Sequence, residues 1–107
     1  MRALSDFLRV CRASDVPEGG QAVFEVGDRF VAVFHVGGRF YVLDDCCTHD
    51  GGPLGEGRLE GFTIICPRHG AKFDIRDGRV LSMPAVSDTQ CFPVKVEGDE
   101  VLVRLDE

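Results

Sequence analysis

The chain has 107 residues, 44% of them hydrophobic and 28% charged, which is the composition of an ordinary globular protein. Its formal charge of −6 argues against a protein that binds nucleic acid through clustered lysines and arginines. No apolar run reaches the length of a membrane span, and the N-terminal residues lack the apolar core of a signal peptide. We therefore expect one domain, residues 1–107, that acts in the cytoplasm without a membrane partner.

Short runs of β-branched and aromatic residues follow one another along the chain and predict strands. These runs occupy residues 7–11, 22–26, 30–36, 40–43, 62–66, 72–75, 92–96 and 101–105. Two-residue hairpin turns are predicted at Gly37-Gly38, Asp77-Gly78 and Gly98-Asp99. Only residues 14–18, with Pro17 in the first positions, are expected to form a helical turn. The sequence therefore predicts an all-β fold whose antiparallel strands close into a sandwich or a small barrel.

Two short motifs in the middle of the chain each combine a cysteine with a histidine. The first is Cys47-Thr48-His49 and the second is Cys66-Pro67-Arg68-His69. The whole chain contains only three histidines and five cysteines, so the pairing of these residue types at short spacing predicts a metal site. Two thiolates and two imidazoles can hold a structural zinc ion or an iron–sulfur cluster, and the residue types alone leave both open.

The C-x-H and C-x-x-H pair resembles the ligand pattern of the Rieske proteins. The resemblance covers nearly the whole chain and includes Pro53-Leu54, Cys66-Pro67, His69-Gly70, Phe73-Asp74 and Pro84. It implies one [2Fe–2S] cluster per chain, with Cys47 and Cys66 on the inner iron. By the same resemblance, His49 and His69 hold the outer iron near the surface. The Pro-Leu and Phe-Asp context has no rationale in a zinc site, which argues against the zinc interpretation.

The other cysteines and the third histidine are expected to lie outside the metal site. Cys11, Cys46 and Cys91 are interpreted as small packed hydrophobes, because a disulfide framework is not expected in a chain without a secretory signal. Cys46 is the one competitor for a ligand role. The C-x-H spacing selects Cys47 instead, and neighbouring side chains on an extended backbone point to opposite faces. His35 lies in an apolar strand run and is interpreted as a packed or edge-strand residue.

Both motifs fall in a segment rich in glycine and proline, residues 46–75 approximately, which we interpret as a small cluster-binding subdomain inserted between hairpins of the β-body. The four glycines between Gly51 and Gly57 are expected to let backbone N–H groups approach the bridging sulfides, where a Cβ would obstruct them. An apolar rim around the two ligand histidines is expected from Leu54, Pro67, Met83 and Pro84.

Two differences from the Rieske proteins of respiratory complexes indicate which members of the family the chain resembles. Gly52 and Arg68 stand where the Rieske proteins of respiratory complexes carry two cysteines joined in a disulfide, so that bridge is not expected here. Ala71 and Phe73 stand where those proteins carry a serine and a tyrosine that donate hydrogen bonds to the cluster sulfurs. Fewer donors stabilise the reduced cluster less, so we expect a reduction potential at the low end of the family's range.

The chain is most similar in these respects to the soluble Rieske-type ferredoxins that serve bacterial oxygenases. The resemblance implies a one-electron carrier, not an enzyme, that accepts electrons from a flavin-dependent NAD(P)H reductase. It passes them to a terminal oxygenase that acts on aromatic rings, and the acidic surface would suit basic docking patches. The Rieske-like small subunit of an assimilatory nitrite reductase shares the fold and stays as the alternative. The complete ligand set favours the ferredoxin.

Overall fold

The computed structural model of the protein describes residues 7–46, 53–67, 70–83 and 87–105. The strands are, in chain order, β1 (Phe7–Arg12), β2 (Gln21–Val26), β3 (Arg29–Val36), β4 (Arg39–Asp44), β5 (Arg58–Glu60), β6 (Thr63–Ile65), β7 (Lys72–Asp74), β8 (Val80–Ser82), β9 (Cys91–Phe92), β10 (Val94–Glu97) and β11 (Glu100–Arg104). Every pair of strands is antiparallel, so the predicted all-β class is confirmed. Within the described ranges, no helix has the length and apolar character that a bilayer crossing requires.

The strands of the described residues form three sheets. The first has the order β1-β11-β10, the second β2-β3-β4-β9 and the third β5-β6-β7-β8. The third sheet is made of chain that leaves the second sheet after β4 and returns to it at β9. Its first three strands fall within the segment interpreted as an insertion, and its last strand lies beyond that segment and ends at Ser82. The boundary at 46–75 and the single-domain assignment remain predictions.

Strand β3 is central to the fold because both of its faces are covered. Val31 and Val33 point to a core that the second sheet shares with the first sheet. Ala32 and Phe34 point to a second core, shared with the third sheet. All four side chains are fully buried. A strand that is buried on both faces has a continuous apolar sequence instead of an alternating one, which explains the uninterrupted run that predicted it.

The predicted turns are confirmed at two hairpins and wrong at a third. Gly37 and Gly38 join β3 to β4 with φ values of 65° and 79°, as a two-residue hairpin turn requires. Gly98 begins the two-residue turn between β10 and β11, with a φ of 59°. Asp77 and Gly78 belong instead to a longer connection between β7 and β8. The carboxylate of Asp74 organises that connection from its N-terminal end.

Asp74 is a buried acid that accepts three hydrogen bonds from Arg76. Its Oδ1 accepts from the backbone N–H of Arg76 at 2.9 Å and from Nε at 3.0 Å, and its Oδ2 accepts from a terminal guanidinium nitrogen at 2.8 Å. These bonds lower the pKa of the Asp74 carboxyl below its usual value. The guanidinium also lies over the Phe62 ring, 4.4 Å from its centre. The start of the β7–β8 connection is therefore fixed by side chains.

Three other details of the secondary structure differ from the sequence predictions. The helical turn is a short 3₁₀ element, Ala13–Asp15, and Pro17 lies after it. Pro93 interrupts the run predicted at 92–96, because proline has no N–H to donate to a ladder, and separates β9 from β10. The short strands β5 and β8 were not predicted, since each offers too few alternating apolar residues to be recognised.

Candidate metal centre

Cys66 is the one predicted ligand that lies among the described residues. It follows β6 directly, its side chain is buried, and it forms no disulfide. Cys47, His49 and His69 lie outside the described residues, so their assembly with Cys66 into one site remains a prediction.

The segment from Cys66 to Ala71, which we call the second loop, is closed by backbone hydrogen bonds. The N–H of Cys66 donates to the carbonyl of Ala71 at 2.7 Å, which extends the β6–β7 ladder by one step. The N–H of Gly70 donates to the carbonyl of Cys66 at 3.1 Å. Gly70 has a φ of 79°, a conformation that strains residues with a Cβ. The second loop therefore leaves and re-enters the sheet at fixed points.

One side of Cys66 faces an apolar core, and the other lines a cavity that opens to solvent. Its thiol belongs to the core between the second and third sheets, together with Leu54, Ile64, Ala71 and Phe73, all of them fully buried. None of these four side chains carries a hydrogen-bond donor. Ala71 and Phe73 belong to the same core as Cys66, and the expectation that they face the cluster sulfurs remains a prediction. This side of the site is closed to water.

The segment from Cys46 to β5, which we call the first loop, is described at residues 53–57, and there two polar side chains tie it to the second sheet. The Nε2 of Gln21, at the start of β2, donates to the carbonyls of Gly55 at 2.5 Å and of Gly57 at 2.9 Å. The Oδ1 of Asp45, just after β4, accepts from the N–H of Gly55 at 2.6 Å. Neither set of contacts could be predicted from the sequence, because each joins residues that are far apart along the chain and follow no motif.

Gly55 and Gly57 serve a purpose in packing that the sequence did not suggest. Their own N–H groups donate to Asp45 and to the carbonyl of Leu54, and the expected approach of the loop backbone to the sulfides remains a prediction. A Cβ on Gly57 would overlap the carbonyl oxygen of Ile65, and a Cβ on Gly55 would press into Val23. These glycines permit close packing of the loop on the sheets. Gly51 and Gly52 lie outside the described residues.

The predicted apolar rim needs a correction. Leu54 is fully buried in the core and cannot line a surface. Pro67 is exposed and 74% of Met83 is exposed, so these two remain available as rim residues. Pro84 lies outside the described residues. Leu81 on β8 is a further exposed apolar side chain, with 45% of its surface accessible.

His35 is a packed residue, as predicted. Its ring stacks on Phe40 with 4.1 Å between the ring centres. Its Nδ1–H donates to the carbonyl of Val16 at 2.7 Å, and its Nε2 lies 3.5 Å from a carboxylate oxygen of Glu18. These contacts fasten the segment after the 3₁₀ turn to the β3–β4 hairpin. They account for the third histidine without a metal.

Burial raises the thiol pKa of two of the three cysteines outside the motifs. Cys11 is buried between the first and second sheets, and burial raises its pKa to about 11. Burial also raises the pKa of Cys91, whose Sγ donates to the carbonyl of Arg76 at 3.6 Å. A raised thiol pKa leaves little thiolate at neutral pH, and thiolate is the form that binds metals. Cys46 is half-buried, and its exclusion from the metal site remains a prediction.

The sequence matches a family model, and the fold matches solved structures. The model is described as "Rieske [2Fe-2S] domain", and residues 6–93 match it. The chain belongs to the Rieske family. The Rieske chain is 39% identical, over 92% of both sequences, to the ferredoxin component of biphenyl 2,3-dioxygenase from Rhodococcus jostii (strain RHA1).

Two solved structures of similar size match nearly the whole chain. The ferredoxin of carbazole 1,9a-dioxygenase from Nocardioides aromaticivorans IC177 has a TM-score of 0.90 at 29% identity, with 95% of this chain and 100% of that chain covered. The second is a chain in the complex of reduced oxygenase and oxidized ferredoxin in carbazole 1,9a-dioxygenase. It has a TM-score of 0.85 at 39% identity, covering 92% of this chain and 93% of that chain.

The described residues fit the [2Fe–2S] cluster that the Rieske family binds. A thiol that is buried, free of disulfides and placed at the entrance of a tight loop is a suitable donor to iron. The apolar core behind Cys66 supplies the dry side that such a site requires. The Rieske match disfavours the zinc interpretation, because the family model is that of a [2Fe–2S] domain.

The close packing of the first loop gives a direct test with Gly57→Ala. The new methyl group meets the Ile65 carbonyl, so we expect a loss of stability of about 3 kcal/mol, at the upper end of the cost of overpacking. Gly61→Ala is the matched control. Gly61 has open space around it and a φ of 62°, so its cost is only the strain of that conformation, roughly 1–2 kcal/mol. The thermal midpoint by circular dichroism, at one scan rate, compares the two. A smaller effect at Gly57 than at Gly61 would contradict the packing argument.

Proposed function

We propose that this Rieske protein is the ferredoxin component of an aromatic-ring dioxygenase system and carries single electrons to its terminal oxygenase. One observation carries the proposal: the match to dioxygenase ferredoxins runs over nearly the full length of both chains. A carrier of this kind has no catalytic residue of its own. The alternative of a nitrite reductase small subunit is not favoured by these relatives.

The proposed ligands of the cluster are Cys47, His49, Cys66 and His69. When bound, the [2Fe–2S] cluster supplies a centre that accepts and releases one electron. The chain has three tasks around it: to donate the four ligands, to exclude water on the cysteine side and to leave the histidine side accessible. The buried position of Cys66 supports the second task. The exposed Pro67 supports the third, since it lies in the same loop as His69.

The proposed electron donor is a flavin-dependent NAD(P)H reductase, and the proposed acceptor is the terminal oxygenase. A carrier must dock with each in turn, and such contacts are small and short-lived, below about 1,200 Å². The net charge of −6 favours partners with basic docking patches, because opposite charges accelerate encounter. We further propose that the chain acts in the cytoplasm as a single Rieske domain, residues 1–107, with its cluster-binding subdomain at about 46–75.

Two cysteine variants test the proposed ligands. The purified protein should be red-brown, with about two irons and two acid-labile sulfides per chain, and dithionite should bleach it. Cys66→Ser should abolish the visible absorption, because it removes a thiolate ligand on which folding of the loops depends. Cys46→Ser is the matched control and should keep the wild-type spectrum. Iron analysis and visible absorption measure both.

Two outcomes would count against these assignments. A colourless wild-type protein that holds one zinc ion would contradict the interpretation of the site as a Rieske cluster site. If the wild type has the chromophore and Cys46→Ser lacks it, Cys46 is required for the cluster, and the assignment of Cys47 as the ligand is contradicted.

The scarcity of donors near Cys66 predicts the reduction potential. The wild-type value should be negative, at the low end of the family's range of about −150 to +300 mV. Ala71→Ser with Phe73→Tyr adds two hydroxyl donors to the core that contains the buried thiol. A hydrogen bond to a charged acceptor is worth about 1.5–3 kcal/mol. If about 1 kcal/mol of that distinguishes the reduced from the oxidised cluster, each donor raises the potential by roughly 40 mV.

A spectroscopic redox titration measures the effect, and Ala32→Ser provides the control. Ala32 is buried in the same core, but it lies on β3, a strand that no proposed ligand directly precedes or follows, so its hydroxyl should leave the potential unchanged. A wild-type potential above about +100 mV would contradict the argument from missing donors. A double variant with the wild-type potential would show that positions 71 and 73 do not face the sulfurs.

A further inference from the structure

Thr89 is a buried polar residue that no ligand motif includes. It lies just before β9, and only 5% of it is exposed. Its hydroxyl donates to the carbonyl of Cys46 at 3.0 Å, across a separation of 43 residues in the sequence. Its own N–H donates to the carbonyl of Gly78 at 2.9 Å. Thr89 therefore joins the exit of β4 to the β7–β8 connection.

The hydrogen bond from Thr89 acts on the backbone next to the first motif. The carbonyl of Cys46 belongs to the peptide unit through which the chain continues to residue 47. A peptide unit is planar, so a bond to its oxygen restrains the orientation of the whole unit. The N–H of Cys46 is held too, by the carbonyl of Asp44 at 2.8 Å, and the N–H of Asp44 donates to Gln90 at 2.8 Å. The end of β4 is thus held at successive points by residues 89 and 90.

On its other side, the backbone of Thr89 packs against the β7–β8 connection. A Cβ on Gly78 would overlap the carbonyl oxygen of Thr89, so the two backbones are in direct contact. Gly78 itself donates its N–H to the carbonyl of Asp74 at 2.8 Å. Because the side chain of Asp74 is fixed by Arg76, these contacts extend to β7, which follows the second loop. Thr89 is therefore coupled to both loops of the proposed site.

We propose that Thr89 is a positioning residue for the cluster. Its hydroxyl sets the orientation of the backbone that presents Cys47, and through Gly78 it ties that backbone to the strand that follows the second loop. The proposal rests on the proposed function, since it assigns Thr89 a role towards the cluster that Cys47 and Cys66 hold. Thr89 therefore affects the rate at which the cluster is lost and the reduction potential of the cluster.

The test compares Thr89→Val with Thr89→Ser in the cluster-loaded protein. Valine keeps the shape and removes the hydroxyl, and serine keeps the hydroxyl. In Thr89→Val, we expect iron to be lost to a chelator about tenfold faster than in the wild type, a factor equivalent to about 1.4 kcal/mol. We also expect a shifted reduction potential and a shifted EPR spectrum of the reduced protein. Thr89→Ser should restore the potential, the spectrum and the rate to near the wild-type values.

Thr63→Val is the matched control for the change itself. Thr63 begins β6, and its side chain makes no hydrogen bond with the residues that the structure describes, so this variant should behave as the wild type. A Thr89→Val protein with the wild-type potential and EPR spectrum overturns the proposal, even if its thermal stability falls. Equal shifts in Thr89→Ser, or in Thr63→Val, overturn it as well. A wild-type chain that binds no cluster refutes the proposed function itself, and absorption before any mutation reveals that result.

Discussion

Hydrogen bonds from side chains outside the loops hold the backbone on which the Rieske site depends. Irregular segments have N–H and carbonyl groups that no ladder satisfies, and such groups need partners when they are buried. Here Gln21 and Asp45 bind the backbone of Gly55 and Gly57, and Thr89 binds the carbonyl of Cys46. All three come from the second sheet or from the residues next to it. The position of the first loop is therefore dictated by the β-body.

The second sheet, β2-β3-β4-β9, can support both loops because it is buried on both of its faces. Residues of β3 alternate between a core shared with the first sheet and a core shared with the third sheet. Cys66 belongs to the second of these cores, so the proposed ligand is packed against the central sheet as well as bonded to its own loop. The two loops are thus attached to the second sheet by different means: polar contacts for the first loop, and apolar packing for the second.

The strands and the candidate ligands could be predicted because their signals are local. The apolar run of β3 and the paired glycines at 37 and 38 occupy consecutive positions, and the ligand motifs have fixed spacings. The contacts of Gln21 and Thr89 could not be predicted, since each joins residues more than thirty positions apart. The same limit explains the error at Leu54. A leucine beside the motifs suggests a surface rim, and only the packing of the third sheet on the second shows that it is buried.

The central claim is that two histidines and two cysteines of this chain hold one [2Fe–2S] cluster. Pulsed EPR of the dithionite-reduced protein, prepared with and without ¹⁵N-labelled histidine, tests the claim most directly. The account predicts coupling of the unpaired electron to two histidine nitrogens, with couplings that change on labelling, and the same couplings in His35→Gln. A reduced cluster without coupling to histidine nitrogen, as four cysteine ligands would give, would contradict it.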